Sequence, residues 1–267
     1  MKLLRRNLFA LLAVGASLLA GCGALPSAVE PAARQALAPT GYLRVGVYPG
    51  SPTSMVQDAK TGERVGVALD LGHALAARLG VPVQVVEFER VAQVVDALKS
   101  GAVDFTFTNA TAARARDIDF TESMVQLELG YIVPNQSGIG NASDIDRAGI
   151  RVGVTQGSSS QATLGHLYKQ ATLMPAASLK QAQDMLRLGQ VQAFATNKGI
   201  LHEMLPALPG FRILDGRWGE EHMAIGIPKG REAGMPLLRQ FASDARASGL
   251  LKNIIAKSGL RGTLQRD

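Results

Sequence analysis

Two asparagines and two glycine–serine turns are the polar groups of this sequence best placed to bind a ligand. Asn109 and Asn197 each follow a short apolar segment, and the turns Gly50-Ser51 and Gly157-Ser158 follow two others. Amide and hydroxyl side chains, together with backbone N–H groups at a helix N-terminus, bind anions and other polar solutes. The sequence lacks a nucleophile elbow, a glycine-rich phosphate loop and a metal-spaced histidine pair. These residues therefore favour ligand binding over catalysis.

The segments that carry these groups form an internal repeat. Leu43–Ser51 and Ile150–Ser158 share the pattern Leu/Ile-Arg-Val-Gly-Val followed by a turn. Further along, Leu98–Asn109 and Leu186–Asn197 match each other in the same order. Two matched segments in one order predict two halves built to one plan.

Hydrophobic periodicity predicts strands that alternate with helices in both halves. In the first half the predicted elements are Leu43–Tyr48 (strand), Asp70–Leu79 (helix, with Asp70 as N-cap and Gly80 as stop), Val83–Phe88 (strand), Val91–Ser100 (helix) and Phe105–Thr108 (strand). In the second half they are Arg151–Thr155 (strand), Ser159 to about Lys169 (helix), Leu179–Leu188 (helix) and Ala193–Thr196 (strand). This order predicts βαβ units around mostly parallel sheets. Because ligands bind at the carboxyl ends of such strands, we expect the asparagines and the turns to meet in one cleft.

The N-terminal segment is predicted to be an export signal, residues 1–21. Lys2, Arg5 and Arg6 precede an apolar run from Leu8 to Leu19, which is shorter than the roughly 20 residues that span a bilayer. The next residues, Leu19-Ala20-Gly21-Cys22, resemble the lipobox of bacterial lipoproteins. That resemblance implies cleavage before Cys22 and a lipid on its thiol. The alternative is an ordinary secretory signal with an incidental cysteine.

Composition limits the architecture and the partners. Cys22 is the only cysteine, so an intramolecular disulfide is excluded. Residues 23–39 are rich in Ala, Pro and Ser and predict a flexible leash, so that a lipidated tether would occupy residues 22–40. The formal net charge is +6, but the basic residues are scattered and aromatic residues make up only 5% of the chain. These numbers argue against a nucleic-acid partner.

Several segments of the mature chain carry a resemblance to a known family. They are Leu43–Val47, Gly62–Gly66, Leu69–Leu71, Ala97–Asp104, Thr111–Arg114, Asp119–Thr121 and Val152–Val154. From Gly41 to about Leu260 the chain resembles the solute-binding proteins, family 3, that serve polar amino-acid ABC transporters. The resemblance implies an α/β fold of two lobes, the type II periplasmic-binding-protein fold, each lobe a mostly parallel sheet flanked by helices. It implies lobe one at residues 41–132 and 224–267, lobe two at residues 133–223, and hinge crossings near Tyr131–Pro134 and His222–Ile227.

The resemblance also implies which residues bind the ligand. Arg114 has the family's spacing from Thr111 and Asp119, and its guanidinium offers two parallel donors that match a carboxylate. Arg116 is expected to be a surface residue. Further donors to the ligand are expected at Asn109, Thr111, Ser158 and Ser159.

Some positions depart from the family's pattern. Asn197 stands where the family has an aspartate that pairs with the ligand's α-ammonium, and a neutral amide cannot supply that ion pair. The family's stacking ring is missing from Pro52–Met55, and Val67 replaces the usual phenylalanine, which leaves Tyr48 as the aromatic candidate. Our hypothesis is that the ligand is a small carboxylate or other polar solute, which need not be an α-amino acid.

The expected function is the ligand-binding component of an ABC transporter. We expect a monomeric periplasmic lipoprotein, anchored to a membrane of the cell envelope, that works without cofactor or metal and partners an ABC permease in the inner membrane. A sensor-type binding module is one alternative. A periplasmic dehydratase on the same fold is the other, and it would need an acid or base from Asp215, Glu220 or Glu221. Of the four histidines, His73, His166, His202 and His222, only His222 is expected near a hinge.

Overall fold

The computed structural model describes residues 29–264 of the chain. The predicted signal peptide, Cys22 and the first part of the predicted tether lie outside the described residues. Within residues 29–264, every helix is too short or too polar to cross a bilayer.

Helices and strands alternate along most of the described chain. The helices are α1 (Pro31–Leu37), α2 (Val67–Leu79), α3 (Val91–Lys99), α4 (Ser159–Leu167), α5 (Leu179–Arg187), α6 (Lys198–Met204), α7 (Met235–Ala247) and α8 (Leu250–Lys257). The strands are β1 (Leu43–Val47), β2 (Val56–Gln57), β3 (Arg64–Val65), β4 (Val83–Glu87), β5 (Thr106–Asn109), β6 (Ile118–Phe120), β7 (Val125–Pro134), β8 (Arg151–Thr155), β9 (Thr172–Ala176), β10 (Ala193–Asn197), β11 (Phe211–Ile213), β12 (Gly219–Pro228) and β13 (Thr263–Leu264).

The first unit of the fold is built around β1. This strand pairs in parallel with β4 along its whole length, and on its other side Val45 bridges Phe105 at the start of the β5 segment. The apolar face of α2 packs on these strands, and α7 and α8 return from the C-terminal end to close the same core. Leu75, Phe105 and Phe241 are buried in it. We call β1–β6, α1–α3, α7 and α8 lobe one.

The second unit repeats this arrangement around β8. β8 lies between β9 and β10, and both pairings are parallel. Apolar side chains fill both faces of the sheet, with Phe194 and Ile200 on one face and Val152 and Leu164 on the other. We call β8–β11 and α4–α6 lobe two. The order β9–β8–β10 matches the order β4–β1–β5, as the internal repeat predicts.

One arginine in each lobe explains part of the repeated sequence. Arg44 Nη2 donates to the carbonyl of Gly101 at 2.8 Å, and Arg151 Nη2 donates to the carbonyl of Gly189 at 3.0 Å. Both glycines have left-handed backbones, with φ of 72° and 64°, which only glycine adopts at little cost. Each arginine therefore joins the start of a central strand to the turn that follows a helix.

Two long antiparallel strands connect the lobes. β7 and β12 pair from Leu129↔Gly219 to Val125↔Met223, and the main sheet runs in the order β5-β12-β7-β10-β8-β9. Side chains of β7 enter the lobe-one core up to Leu127 and a lobe-two core from Tyr131 onward. The crossing on β7 therefore lies a few residues before the segment 131–134 that the resemblance suggested.

The prediction of a flexible leash through residue 39 is wrong for its last part. Pro31–Leu37 form α1, which starts with a proline at its N-terminal turn, where the missing N–H costs nothing. Ala33 and Leu37, four residues apart on one helix face, are buried, and Leu37 belongs to the lobe-one core. A Cβ atom on Gly234 would lie 2.6 Å from Leu37, so the packing is close. The composition did not reveal this contact because the segment has few large apolar side chains.

Candidate ligand-binding site

A small cavity of about 30 Å³ lies between the two lobes. Polar residues dominate its wall: Tyr48, Thr53, Thr108, Asn109, Arg114, Thr155, Ser158, Ser159, Ser160, Thr196, Asn197 and Glu221. The apolar part of the wall consists of Val91, Leu179, Ile200 and Met223. Its residues come from β1, β5, β8, β10 and β12 or the loops next to them, and from the first turns of α3, α4, α5 and α6. The strand ends and helix N-termini of both lobes therefore meet at one point.

Arg114 is a buried cation in this wall. It begins a short 3₁₀ turn, Arg114–Arg116, and only 8% of its surface is exposed. Its Nη1 atom donates to Thr108 Oγ1 at 2.8 Å and to the carbonyl of Asn109 at 3.1 Å. Its Nε and Nη2 atoms make no hydrogen bond within residues 29–264, which leaves them for a ligand. Burial lowers the pKa of Arg114, and the nearby Glu221 carboxylate opposes that shift.

Lobe two contributes the N-terminal turn of α4. Ser158 is the N-cap, and its hydroxyl accepts a hydrogen bond from the backbone N–H of Gln161 at 3.1 Å. Ser159 and Ser160 follow in the first turn and line the cavity. Backbone N–H groups at this position have no partner inside their helix and carry partial positive charge. The turn therefore suits an anionic group.

Glu221 is the carboxylate of the cavity. It lies on β12, where side chains alternate between two faces, so that Glu221 and Met223 point inward and His222 points outward. Glu221 Oε1 accepts from Ser159 Oγ at 2.9 Å and, at 3.5 Å, from Asn109 Nδ2. Its Oε2 atom accepts from Asn197 Nδ2 at 2.9 Å. Residues of both lobes thus converge on one carboxylate.

Asn197 uses both ends of its amide inside the protein. Its Oδ1 atom accepts from the backbone N–H of Ile200 at 3.0 Å, which makes it the N-cap of α6. Its Nδ2 atom is the donor to Glu221. Asn197 therefore lines the cavity while it also holds the carboxylate in place.

Tyr48 forms an aromatic part of the wall. It follows β1 of lobe one, yet it belongs to the same apolar cluster as Leu179 and Met185 of lobe two. Its phenol is buried, and burial raises its pKa. Tyr48 therefore lies where the two lobes meet.

Most of the residues expected at the site line the cavity. They are Tyr48, Asn109, Arg114, Ser158, Ser159 and Asn197. Thr111 stands apart from the wall, because its hydroxyl accepts a hydrogen bond from the backbone N–H of Arg114 at 3.2 Å and so shapes the 3₁₀ turn. The Gly50-Ser51 turn does not line the cavity either, since Ser51 is fully buried and its hydroxyl pairs with Thr53 at 2.9 Å.

The remaining candidates lie outside the cavity. The ring of His222 is directed to Gln126 on the outer side of β12, where the two side chains approach within 3.3 Å. Asp215 is exposed, and Glu220 pairs with Arg217 at 3.0 Å. The cavity residues that we did not expect include Thr108 and Thr53. The signal for Thr108 was its place beside Asn109 at the end of a buried strand.

Comparison with known proteins identifies the family. The sequence matches the profile of bacterial extracellular solute-binding proteins, family 3, over residues 43–260. The chain belongs to this family. A glutamine-binding protein from Geobacillus stearothermophilus is 24% identical over 193 residues, which are 71% of this chain and 73% of that protein. The family, and with it the amino-acid-binding class of ABC transporter components, was therefore predicted correctly.

Solved structures share the fold. The amino-acid ABC transporter substrate-binding protein AbpA from Streptococcus pneumoniae, solved with L-arginine, superposes with a TM-score of 0.75 at 20% identity, covering 84% of this chain and 97% of that one. The solute receptor for L-cysteine of Neisseria gonorrhoeae superposes with a TM-score of 0.75 at 24% identity, covering 85% and 92%. These likenesses confirm the predicted two-lobed type II periplasmic-binding-protein fold.

Proposed function

We propose that this family member binds a small carboxylate-bearing solute, an amino acid or a related organic acid, between its lobes and delivers it to an ABC permease. The observation that carries the proposal is the buried guanidinium of Arg114, which lines a cavity with Nε and Nη2 unused by the described residues. A buried charge is costly unless a partner of opposite charge meets it. A ligand carboxylate would accept two parallel hydrogen bonds from this edge.

The first turn of α4 supports the same assignment from the other lobe. Ser159 and Ser160 line the cavity together with Arg114. Their backbone N–H groups suit the second oxygen of a carboxylate. Glutamine, L-arginine and L-cysteine, the ligands in the names of the relatives, all carry a carboxylate.

Closure of the lobes is the proposed mechanism. The cavity of about 30 Å³ is lined by both lobes and is much smaller than an amino acid, so the lobes would have to separate to admit a solute. A ligand that contacts Arg114 of lobe one and α4 of lobe two gains all of its contacts only in the closed form. It therefore shifts the equilibrium from open to closed. The permease would then recognise the closed form.

We further propose that the protein is a monomeric lipoprotein at the periplasmic side of a membrane. The support is the Leu19–Cys22 motif, whose lipid would be joined to lobe one through residues 23–30. Cys22→Ser should abolish incorporation of labelled palmitate and release the protein into the soluble fraction. An unchanged distribution between membrane and soluble fractions would contradict the anchor.

Two arginines of the same 3₁₀ turn provide the test of ligand binding. Arg114→Ala removes the buried guanidinium, whereas Arg116→Ala removes an exposed one whose single hydrogen bond among residues 29–264 is to the nearby carbonyl of Ala113 at 3.3 Å. We would measure thermal shifts and calorimetric titrations with a panel of amino acids and organic acids. Wild type and Arg116→Ala should be stabilised by the same compounds, and Arg114→Ala by none. Equal stabilisation of all three proteins would refute the assignment.

A further inference from the structure

We infer that Glu221 binds the ammonium group of the ligand, so that the ligand is an α-amino acid; this inference rests on the proposed binding of its carboxylate by Arg114. Asn197 at the end of β10 is a neutral amide, and the strand β12 supplies a carboxylate beside it.

Glu221 is a buried anion whose partners are all neutral. Only 7% of its surface is exposed, and its hydrogen-bond donors are Ser159, Asn109 and Asn197. Among the described residues, none of the ion pairs includes Glu221. A buried carboxylate is stable when a cation meets it, and hydroxyl and amide donors supply no full positive charge. Within residues 29–264, Glu221 therefore lacks a cation in direct contact, and a ligand cation would supply one.

Arg114, in the same cavity, lacks a carboxylate of residues 29–264 in direct contact. It is a buried cation that forms no ion pair with a carboxylate of the described chain, including Glu221. One cavity thus holds two buried groups of opposite charge that attract each other but form no ion pair. A ligand with a carboxylate and an ammonium on neighbouring atoms complements both charges. An organic acid without an amine complements only Arg114.

The amide at position 197 fits the carboxylate at position 221. Asn197 Nδ2 lies 2.9 Å from Glu221 Oε2. An aspartate at position 197 would serve equally well as the N-cap of α6, but it would place a second carboxylate oxygen at this distance, and like charges so close disfavour each other. The neutral amide at position 197 therefore suits the carboxylate at position 221. On this inference the cation site of the cavity lies on β12.

Substitutions at the two positions test the inference. The probes are the twenty proteinogenic L-amino acids and, for each one that binds, the 2-hydroxy acid with the same side chain, measured by calorimetric titration. Wild type should prefer the amino acid. Glu221→Gln should weaken amino-acid binding on the order of 30-fold or more, as when one partner of a buried charge pair is removed, and should leave binding of the 2-hydroxy acid unchanged or stronger.

A double variant and a neighbouring control make the result specific. Asn197→Asp combined with Glu221→Gln exchanges the two groups. The double variant should restore amino-acid binding to within about tenfold of wild type, because a carboxylate at position 197 lies next to position 221. Glu220→Gln, on the outer face of β12, should bind like wild type. Rescue by the exchange also excludes a folding defect as the cause of the loss in Glu221→Gln.

The outcomes separate this inference from the proposed function. Loss of both ligands in Arg114→Ala, with amino-acid binding intact in Glu221→Gln, overturns the role of Glu221 and leaves the carboxylate site standing. A wild type that binds the 2-hydroxy acid as tightly as the amino acid does the same. A wild type that binds none of these compounds overturns both proposals.

Discussion

A Cβ atom on Gly157 would lie 2.6 Å from the Cβ atom of Ala92, across the boundary between the lobes. Gly157 follows the central strand of lobe two, and Ala92 lies in the first turn of α3 in lobe one. The repeat provides the reciprocal contact, because a Cβ atom on Gly50 would lie 3.2 Å from Leu179, the first residue of α5. In each lobe, the glycine turn after the central strand therefore lies against the first turn of a helix in the other lobe.

This relationship predicts that Gly157→Ala weakens ligand binding. The added methyl group clashes with Ala92 only when the lobes are closed, so the closed form should lose population and the apparent Kd should rise roughly tenfold or more. Gly189→Ala is the matched control. It has a similar left-handed φ, 64° against 71°, and free space around the added Cβ. Both variants should lose about 1–2 kcal/mol of stability from backbone strain, and calorimetry should show weaker binding only for Gly157→Ala.

Asp104 is predicted to be a major contributor to the stability of lobe one. Its carboxylate is fully buried and binds Arg44 and Arg231, each at 2.6 Å. Asp104→Ala leaves the two guanidinium groups without their shared anion and should cost roughly 3–5 kcal/mol of unfolding free energy.

The repeat supplies a control for Asp104. Gln192 occupies the corresponding place in lobe two, where its Oε1 atom accepts from the backbone N–H of Arg151 at 2.9 Å. Gln192→Ala removes a neutral hydrogen bond and should cost about 1 kcal/mol. Urea denaturation measures both. Equal losses would show that the ion pairs add nothing to the hydrogen bond.

Asn197→Ala should affect both stability and ligand binding. The loss of the α6 N-cap should cost about 1 kcal/mol, and the loss of the donor to Glu221 should also weaken binding of the ligand. Ser178→Ala is a control because Ser178 is the N-cap of α5, bonding the backbone N–H of Gln181 at 3.1 Å, and does not line the cavity. Thermal denaturation should show similar losses, whereas titration should distinguish the two variants.

Leu37 should be essential for the attachment of α1. Leu37 is fully buried in the lobe-one core, so Leu37→Ala should destabilise that lobe by roughly 2–5 kcal/mol. Leu188, which is 71% exposed, provides the same substitution at the surface, where the expected change is within about 0.5 kcal/mol. An equally small change in the free energy of unfolding for Leu37→Ala would show that α1 does not stabilise the core.

Much of the fold was predictable because each strand and helix carries its own pattern. Arg151–Thr155 was predicted with the bounds that the structure has, since its β-branched residues Val152, Val154 and Thr155 lead into a glycine turn. The start of α2 was not. We predicted Asp70 as its N-cap, but α2 begins at Val67, whose N–H donates to the carbonyl of Pro52 at 3.0 Å. That acceptor lies in a distant loop, so local sequence cannot reveal it.

The candidate site was predictable where it follows the repeat and the family resemblance, as at Arg114 and Ser158. Glu221 was considered only as a possible acid or base, because it lies within a strand rather than at a strand end. Its contact with Asn109 spans 112 residues of sequence. The signal that could have revealed it is the alternation of side chains along the strand. Within Gly219–Pro228, Glu221 is a charged residue on the face whose other residues are mostly buried.

The packing of α1 determines which lobe moves. Pro31–Leu37 pack in lobe one, and at the other end of the described chain β13 pairs with Gln126 and Leu127 near the same core. Both ends of the described chain therefore leave from lobe one, and lobe two is connected to it only through β7 and β12. Anything that holds the chain near either end holds lobe one still. Relative to such a fixed point, we expect ligand capture to move lobe two toward a stationary lobe one, with β7 and β12 as the flexible connection.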